Sequence, residues 1–364
     1  MKAAVLYKRG EPFKIEDVRL DPPKRYEVLV RIAAAGVCRS DYHILKDESN
    51  HPVPAVLGHE GSGVVEAVGE GVTMTKPGDH VILSFVPNCG HCTPCETGNP
   101  QLCDAAASTP GTMFDGTTRL FSMDGKPILH MGKVACFAEK AVVPETGCIP
   151  IPKTVPLSAA ALIGCCVPTG VGAVINRAKV RPGSTVAVVG CGGVGLNAVQ
   201  GARLANASMI IAVDIYDHKL EFAYRFGATH VVNADKEDAV AKVKELTGGK
   251  GVDYAIEAYG SAHTVENAFN MTSKSGTIVV VGLAPKWDKA SIDPVALVRN
   301  EKSLLGSYYG SVRPRQDMPK LVEMYLQGKL DVEGLIVRRY KLDQINKAYD
   351  DLEKGADGRG IIEF

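Results

Sequence analysis

The chain has no surplus charge of either sign: 41 Lys and Arg balance 41 Asp and Glu over 364 residues. A balanced chain carries no electrostatic footprint for nucleic acid, an anionic membrane surface or another polyanion, so none of these is expected as a partner. Long apolar runs are also missing. No stretch approaches the ~20 residues that a membrane-spanning helix needs. The N-terminal MKAAVLYKRGEPFKIEDV is interrupted by charge too early to read as a signal peptide. The expected compartment is therefore the cytoplasm. What is present is a globular balance, 45% apolar and 23% charged, on enough length for roughly two domains. The chain also holds 10 cysteines. In a large chain without an export signal, cysteines at short spacing read as metal ligands rather than disulfides.

The texture changes along the chain. Residues 1–160 are rich in Gly, Pro and β-branched residues, with strand-like runs at 3–7, 28–34, 63–68 and His80–Leu83 separated by turn signals such as Asp21-Pro22-Pro23. They predict an irregular antiparallel β domain. After about Pro168, strand and helix patterns alternate: Thr185–Val189, 193–205, 209–213, Asp217–Phe226, 254–257, 264–271 and 277–281. Alternation at that spacing predicts a parallel, doubly wound sheet. A helical stretch at 317–327 and a short run at 360–364 close the chain.

Residues 186–195 read V-A-V-V-G-C-G-G-V-G, so Gly190, Gly192 and Gly195 fit G-x-G-x-x-G, with Gly193 and Val194 completing the turn. The first glycine permits the turn, the second admits a pyrophosphate to the backbone, and the third lets helix and sheet approach. The phosphates are expected at the helix N-terminus, where free N–H groups and the dipole favour anions. Asp214 ends the next strand at the spacing expected of a ribose-binding carboxylate. A carboxylate there repels a 2′-phosphate, which favours NAD over NADP.

Cys89-x-x-Cys92-x-x-Cys95 followed by Cys103 can close a tetrahedral all-cysteine site with no position left for substrate, as a structural zinc requires. Four cysteines also hold iron–sulfur clusters; spacing and context favour zinc. Three further signals precede the glycine-rich turn: Cys38-Arg39-Ser40-Asp41-Tyr42-His43, Gly58-His59-Glu60 and Leu162-Ile163-Gly164-Cys165. Singly, each reads as a packed thiol or a structural histidine.

In order, these segments resemble the zinc-dependent medium-chain alcohol dehydrogenases. The similarity runs over nearly the whole chain, to Arg359-Gly360-Ile361-Ile362, and residues 111–117 (G-T-M-F-D-G-T) resemble the longer liver-type branch. The resemblance implies a GroES-like catalytic domain from 1–166 and 309–364, and a Rossmann NAD-binding domain at 167–308. It implies that Cys38, His59 and Cys165 bind a catalytic zinc, leaving a fourth position for water or alcohol; alcohol dehydrogenase is itself the familiar case of this Cys₂His set. Cys166 competes with Cys165 for that role, and the Leu-Ile-Gly-Cys pattern favours Cys165. Asp41 would orient His59, and Glu60 would tune or transiently contact the metal. Ser40 and His43 would carry the alcohol proton toward solvent, a task suited to histidine near neutral pH. Arg39 and Arg359 would contact the pyrophosphate. Lys219 would lie at the adenosine ribose, Thr169 beside the nicotinamide, and Val281 and Leu283 in the coenzyme loop.

Phe85 and Met131 fall where the family builds its substrate pocket, and both read equally as core residues. The charged run Lys46-Asp47-Glu48 falls on the expected pocket rim and reads as a solvated loop. The implied reaction is reversible oxidation of an alcohol to an aldehyde or ketone with NAD, using two zinc ions per subunit. Oxidation of hydroxymethyl-thiol adducts is the alternative, although no arginine stands between Cys103 and Gly111 to mark it. A non-catalytic zinc- and NAD-binding protein is the bland alternative. Residues 293–298 resemble the edge segment through which family dimers pair, so a homodimer, or a homotetramer, is expected.

Overall fold

The strand Glu27–Gly36 (EVLVRIAAAG) organises the first part of the chain. It pairs antiparallel with Gly61–Val68 and Lys140–Pro144, and its last residues pair with Arg359–Glu363. Val28, Val30, Ile32 and Ala34 alternate onto one buried face, while Leu29 and Ala33 on the other are half-buried and Arg31 is exposed. In this computed structural model, which describes residues 1–364, the chain divides into two units. One is Met1–Cys165 with Arg313–Phe364, and the other is Cys166–Val312. The sequence placed the second boundary at 308. The turn Tyr309–Ser311 instead packs within the second unit, where Asn176 Nδ2 donates to Gly310 O at 3.3 Å.

In the first unit, a seven-stranded sheet runs in the order Cys148–Ile151, His80–Leu83, Gly61–Val68, Glu27–Gly36, Arg359–Glu363, Ile336–Tyr340, with Lys140–Pro144 also on Glu27–Gly36. Lys2–Leu6, Lys14–Leu20, Leu120–Ser122, Pro127–His130 and Ala55–Val56 close a small barrel. The expectation of a purely antiparallel domain is corrected at two pairings. Ile336–Tyr340 runs parallel to Arg359–Glu363, and Ala55–Val56 runs parallel to Pro127–His130. A parallel pair needs a crossover, and the amphipathic helix Ile345–Glu353 supplies the first one.

Two buried clusters help to order this unit. Phe13, Phe137 and Tyr349 form a buried aromatic trio with centroids 5.5–6.2 Å apart. Gly58 turns above it with φ +87°, and a Cβ there would come within 2.7 Å of the Phe137 ring. Only glycine both adopts that φ and clears the ring, so the Gly58 turn fixes where His59 leaves the backbone. The second feature is Arg119, fully buried, which grips Glu27 bidentately through Nε and Nη2 at 2.8 and 2.6 Å and reaches Asp115 at 2.9 Å.

The second unit is one six-stranded parallel sheet, in the order His230–Asn233, Met209–Asp214, Thr185–Val189, Val252–Glu257, Thr272–Val280, Ser303–Gly306. Numbered within the unit, that is 3-2-1-4-5-6, the Rossmann order, whose direction reverses beside Thr185–Val189 and opens a ligand crevice at the strand ends. The helix Ala262–Met271 starts two residues earlier than its apolar pattern suggests, because Ser261 and Thr264 form a reciprocal cap. Residues 293–298, read as a pairing edge, are instead the Asp293-capped helix Pro294–Arg299, and the sheet edge is Ser303–Gly306. Pro294 at the helix start explains the difference, since it fits the first turn and would cost a ladder bond in a strand. No single helix is long and apolar enough to cross a membrane.

Replacing Arg119 by Met should leave the Glu27 carboxylate buried without its cation. Loss of about 3–5 kcal/mol is expected, read as an earlier denaturant midpoint; an unchanged midpoint would show the pair to be dispensable.

Candidate metal centres and dinucleotide turn

The helix Arg39–Leu45 begins immediately after Cys38, so the motif that was only a string in the sequence becomes a corner. Cys38, His59, Glu60 and Cys165 are all buried, and each brings a ligand atom within 4.8 Å of the others. Cys166, the competitor, is absent from this cluster; its buried Sγ accepts from Asn197 Nδ2 at 3.8 Å. Asp41 is fully buried with Oδ2 3.1 Å from His59 Nδ1, and its Oδ1 accepts from the Gly58 N–H at 2.8 Å. The Phe85 ring stands edge-on to His59 at 5.1 Å. Gly132 packs against Phe85, which brings the Met131 loop beside the same wall.

The electrostatics fit a cation. The Cys38 thiol is held well below its ordinary value, first by a hydrogen bond from Cys165 and then, against burial, by His59 and Arg359. Burial pushes the Cys136 and Cys191 thiols, and Cys148, in the opposite direction, toward inert packed cysteines. For His59, burial favours the neutral ring, but Asp41 and Cys38 outweigh it and hold its pKa well above the usual value. Glu60 is pushed up to about 7 by burial, against the pull of Arg359. Two thiols, an imidazole and two carboxylates are gathered out of water beside one guanidinium. Cys₂His with a neighbouring carboxylate is a zinc-type donor set.

Arg359 has a buried partner. Its Nη2 donates to Glu60 Oε1, both residues buried. At least one guanidinium nitrogen therefore serves the buried carboxylate rather than a phosphate. Gly36 accommodates the pair, because a Cβ there would collide with Glu60 Oε2. Ser40 Oγ lies 3.8 Å from Cys38 Sγ, and His43 is buried with Nδ1 2.5 Å from Glu48 Oε2. Arg39 stacks over the Tyr42 ring at 5.4 Å.

In the second cluster, Cys89, Cys92, Cys95 and Cys103 also converge within 4.8 Å. Cys92 Sγ is 3.4 Å from Cys95 Sγ and 3.9 Å from Cys103 Sγ. A disulfide is far shorter, while a tetrahedron of Zn–S bonds sets sulfurs about 3.8 Å apart. Cys92 is pulled down to about 6, chiefly by the Cys95 N–H, whereas burial pushes Cys95 up to about 12. All four become thiolates together only around a metal. Lys133, which nothing in the sequence marked, is buried and donates to Thr109 O, Thr109 Oγ1 and Thr112 O at 2.8–2.9 Å. It ties down the segment that leaves this lobe, and burial lowers its pKa to about 8.

In the Rossmann unit, Gly190 has φ +94°, and a Cβ on Gly195 would strike Gly190 O. A Cβ on Gly192 would meet nothing within 4 Å, which leaves room for a ligand at the N-terminus of the helix Gly193–Leu204. Val194 is half-buried in that first turn. Asp214 Oδ2 accepts from the Cys191 N–H at 2.8 Å and its Oδ1 from the Ile215 N–H at 2.8 Å, so it binds the glycine turn as well as presenting charge. Lys219 Nζ sits over Tyr216 at 5.0 Å. Val281 donates to Glu257 O at 2.8 Å, and Leu283 is exposed beside Gly260. Thr169 lies half-buried on the helix Cys166–Gly172.

A GroES-like β unit carrying two such donor sets, joined in one chain to a Rossmann unit, defines a zinc-binding medium-chain dehydrogenase. A family model described as alcohol dehydrogenase GroES-like domain matches residues 24–153, and one described as zinc-binding dehydrogenase matches 193–327. The NDMA-dependent alcohol dehydrogenase of Amycolatopsis methanolica is 42% identical over 99% of this chain and 98% of its own. The benzyl alcohol dehydrogenase of Acinetobacter calcoaceticus superposes with a TM-score of 0.94 at 37% identity, covering 100% of this chain and 99% of that one. An alcohol dehydrogenase zinc-binding domain protein from Burkholderia ambifaria gives 0.95 at 39%, covering 100% and 98%. The chain belongs to the zinc-dependent medium-chain alcohol dehydrogenases.

Metal analysis of carefully prepared protein should return close to two zinc per chain, one for each cluster. Cys38→Ser should remove one and Cys103→Ser the other, with only the second lowering thermal stability substantially. Wild-type protein holding one zinc or none would reject the two-site assignment.

Proposed function

We propose that this chain catalyses reversible oxidation of an alcohol to an aldehyde or ketone with NAD, at a zinc held by Cys38, His59 and Cys165. The buried convergence of those three side chains is the observation that carries the reading. Zinc bound there would act as a Lewis acid toward the alcohol oxygen. NAD, on the Gly190–Gly195 turn, would take the hydride. The protein's own groups do the rest. Asp41 fixes the His59 ring by its carboxylate. Phe85 walls the centre with a ring edge and limits water there. Ser40, with its hydroxyl beside Cys38, would pass the alcohol proton on toward the coenzyme ribose, and His43 would hand it to solvent. Glu60, neutralised by Arg359, completes the charge balance behind the ligands. Asp214 carries the preference for NAD through its negative charge at the end of Met209–Asp214.

The test is NADH formation by purified protein with primary, secondary, aromatic and thiol-adduct alcohols. Benzyl alcohol is included because a relative of 37% identity bears its name. Turnover with NAD that disappears in Cys38→Ser is expected. Asp214→Gly should raise the use of NADP relative to NAD at least about tenfold, as removal of a like-charge contact implies. No turnover by zinc-replete wild type across the panel would reject the assignment. A second reading rests on the Amycolatopsis relative, whose name makes its activity NDMA-dependent: alcohol consumed in the presence of NDMA, without release of NADH, would favour it.

A homodimer is proposed at the edge strand Ser303–Gly306, where Leu304 and neighbouring Val298 and Val295 are exposed. An unpaired edge flanked by apolar side chains suits pairing with a second copy. Sedimentation velocity should give a dimer that Leu304→Lys weakens; a monomeric wild type at micromolar concentration would dispose of the idea.

A further inference from the structure

The run Lys46-Asp47-Glu48, read from sequence as a solvated loop, has three separate partners. Lys46 Nζ meets Glu353 Oε2 at 2.9 Å, Asp47 Oδ1 meets Arg9 Nε at 2.9 Å, and Glu48 Oε2 lies 2.5 Å from His43 Nδ1. The loop is built to bring Glu48 back. Asp47 adopts φ +59°, reversing the chain at the end of the helix Arg39–Leu45. The N–H groups of Glu48 and Ser49 then donate to His43 O at 2.8 and 3.1 Å. Arg9 Nη1 holds the far side through Ser49 O and His51 O, each at 3.3 Å. The His43 side chain is 10% exposed and that of Glu48 22%. The other charges around the pair are already engaged. Arg39 and Lys46 stack on Tyr42, and the Tyr42 hydroxyl donates to Glu353 at 2.8 Å. Glu48 is thus the carboxylate left for His43.

We propose that Glu48 is a positioning residue for proton removal, holding His43 with Nδ1–H donated to its carboxylate and Nε2 free to take the alcohol proton. The inference rests on the alcohol-oxidising reading above. A carboxylate only accepts, and a neutral imidazole has one N–H and one lone pair, so ionised Glu48 selects the tautomer. A carboxylate behind a catalytic imidazole plays the same part in the Ser-His-Asp triad, where it orients the ring and stabilises the imidazolium. The balance is simple. On that reading the alcohol carbon would give hydride to NAD, and the hydroxyl proton would pass by way of Ser40 to His43 Nε2. Water then takes a proton from the ring, and the N–H bonding pair stays on nitrogen. The products are the carbonyl compound, NADH and one proton in solvent.

The zinc-replete protein with Glu48→Gln, Glu48→Asp, His43→Gln and the Gln/Gln double substitution provides the test. Glu48→Gln should lower kcat/KM for alcohol oxidation about tenfold. Glu48→Asp should recover part of the loss. The double variant should be no slower than His43→Gln. A slow His43→Gln beside a Glu48→Gln of wild-type rate would overturn the role of Glu48 alone. His43→Gln turning over like wild type would overturn the relay as well. The readout independent of turnover is NMR of ring-labelled histidine. Wild type should show a low-field Nδ1–H proton from His43 that moves upfield in Glu48→Gln. Its absence from wild type overturns the proposal whether or not alcohol is oxidised, and its presence in a protein that oxidises no alcohol would overturn the functional reading instead.

Discussion

Two thiols, an imidazole and two carboxylates lie out of water around one point in the first unit, with a single guanidinium among them. Removing an ion from water costs several kcal/mol even after relaxation, and this arrangement gathers groups that would repel one another if all were ionised. The surrounding structure is explained by that constraint. Gly36 lacks a side chain because Glu60 occupies the space a Cβ would need. Gly58 is glycine because the turn presenting His59 lies against Phe137 at positive φ. Arg359 comes from the far end of the chain, on a strand paired with Glu27–Gly36, to neutralise Glu60. A divalent cation bound by the thiolates would suit that donor set.

The Rossmann unit meets a different demand with little charge. Its strands are apolar on both faces, and its ligand end is made from backbone: a glycine turn at positive φ, free N–H groups at a helix start, and one carboxylate. Asp214 is tied to the Cys191 N–H, so the residue that sets cofactor preference also fixes the turn that would hold the pyrophosphate. Glu257 works alike two strands away. Its Oε1 gathers the Tyr259 and Gly260 N–H groups and the Thr264 hydroxyl at 2.7–3.0 Å, holding the following loop at the same edge of the sheet.

Much of this was legible. The alternation of apolar strands and helices after residue 185 forced a parallel sheet, since buried parallel strands read as continuous apolar runs. The cysteine spacing in the lobe was legible because ligands close in sequence must also be close in space. Other features were not. Lys133 and Arg119 are buried by segments distant in sequence, and no local pattern marks a lysine or arginine for burial. Residues 294–299 form a helix where the resemblance pointed to a pairing edge, and Pro294 suits the first turn of a helix rather than a strand. The parallel pairing of Ile336–Tyr340 depends on a crossover whose return point is tertiary.

By itself, the sequence determined the two-part architecture, the glycine turn with its acidic partner, and the types of side chain available for zinc, because each is a local matter of spacing, propensity or chemistry. Tertiary structure gathered Cys165, and not Cys166, with Cys38 and His59, and turned Glu48 from a solvated residue into the partner of His43. It also drew Arg359 onto Glu60 and set apart the thiol driven toward thiolate from those driven away from it. The reason is physical: burial and the charges that accompany it are properties of segments brought together, and no residue carries them alone.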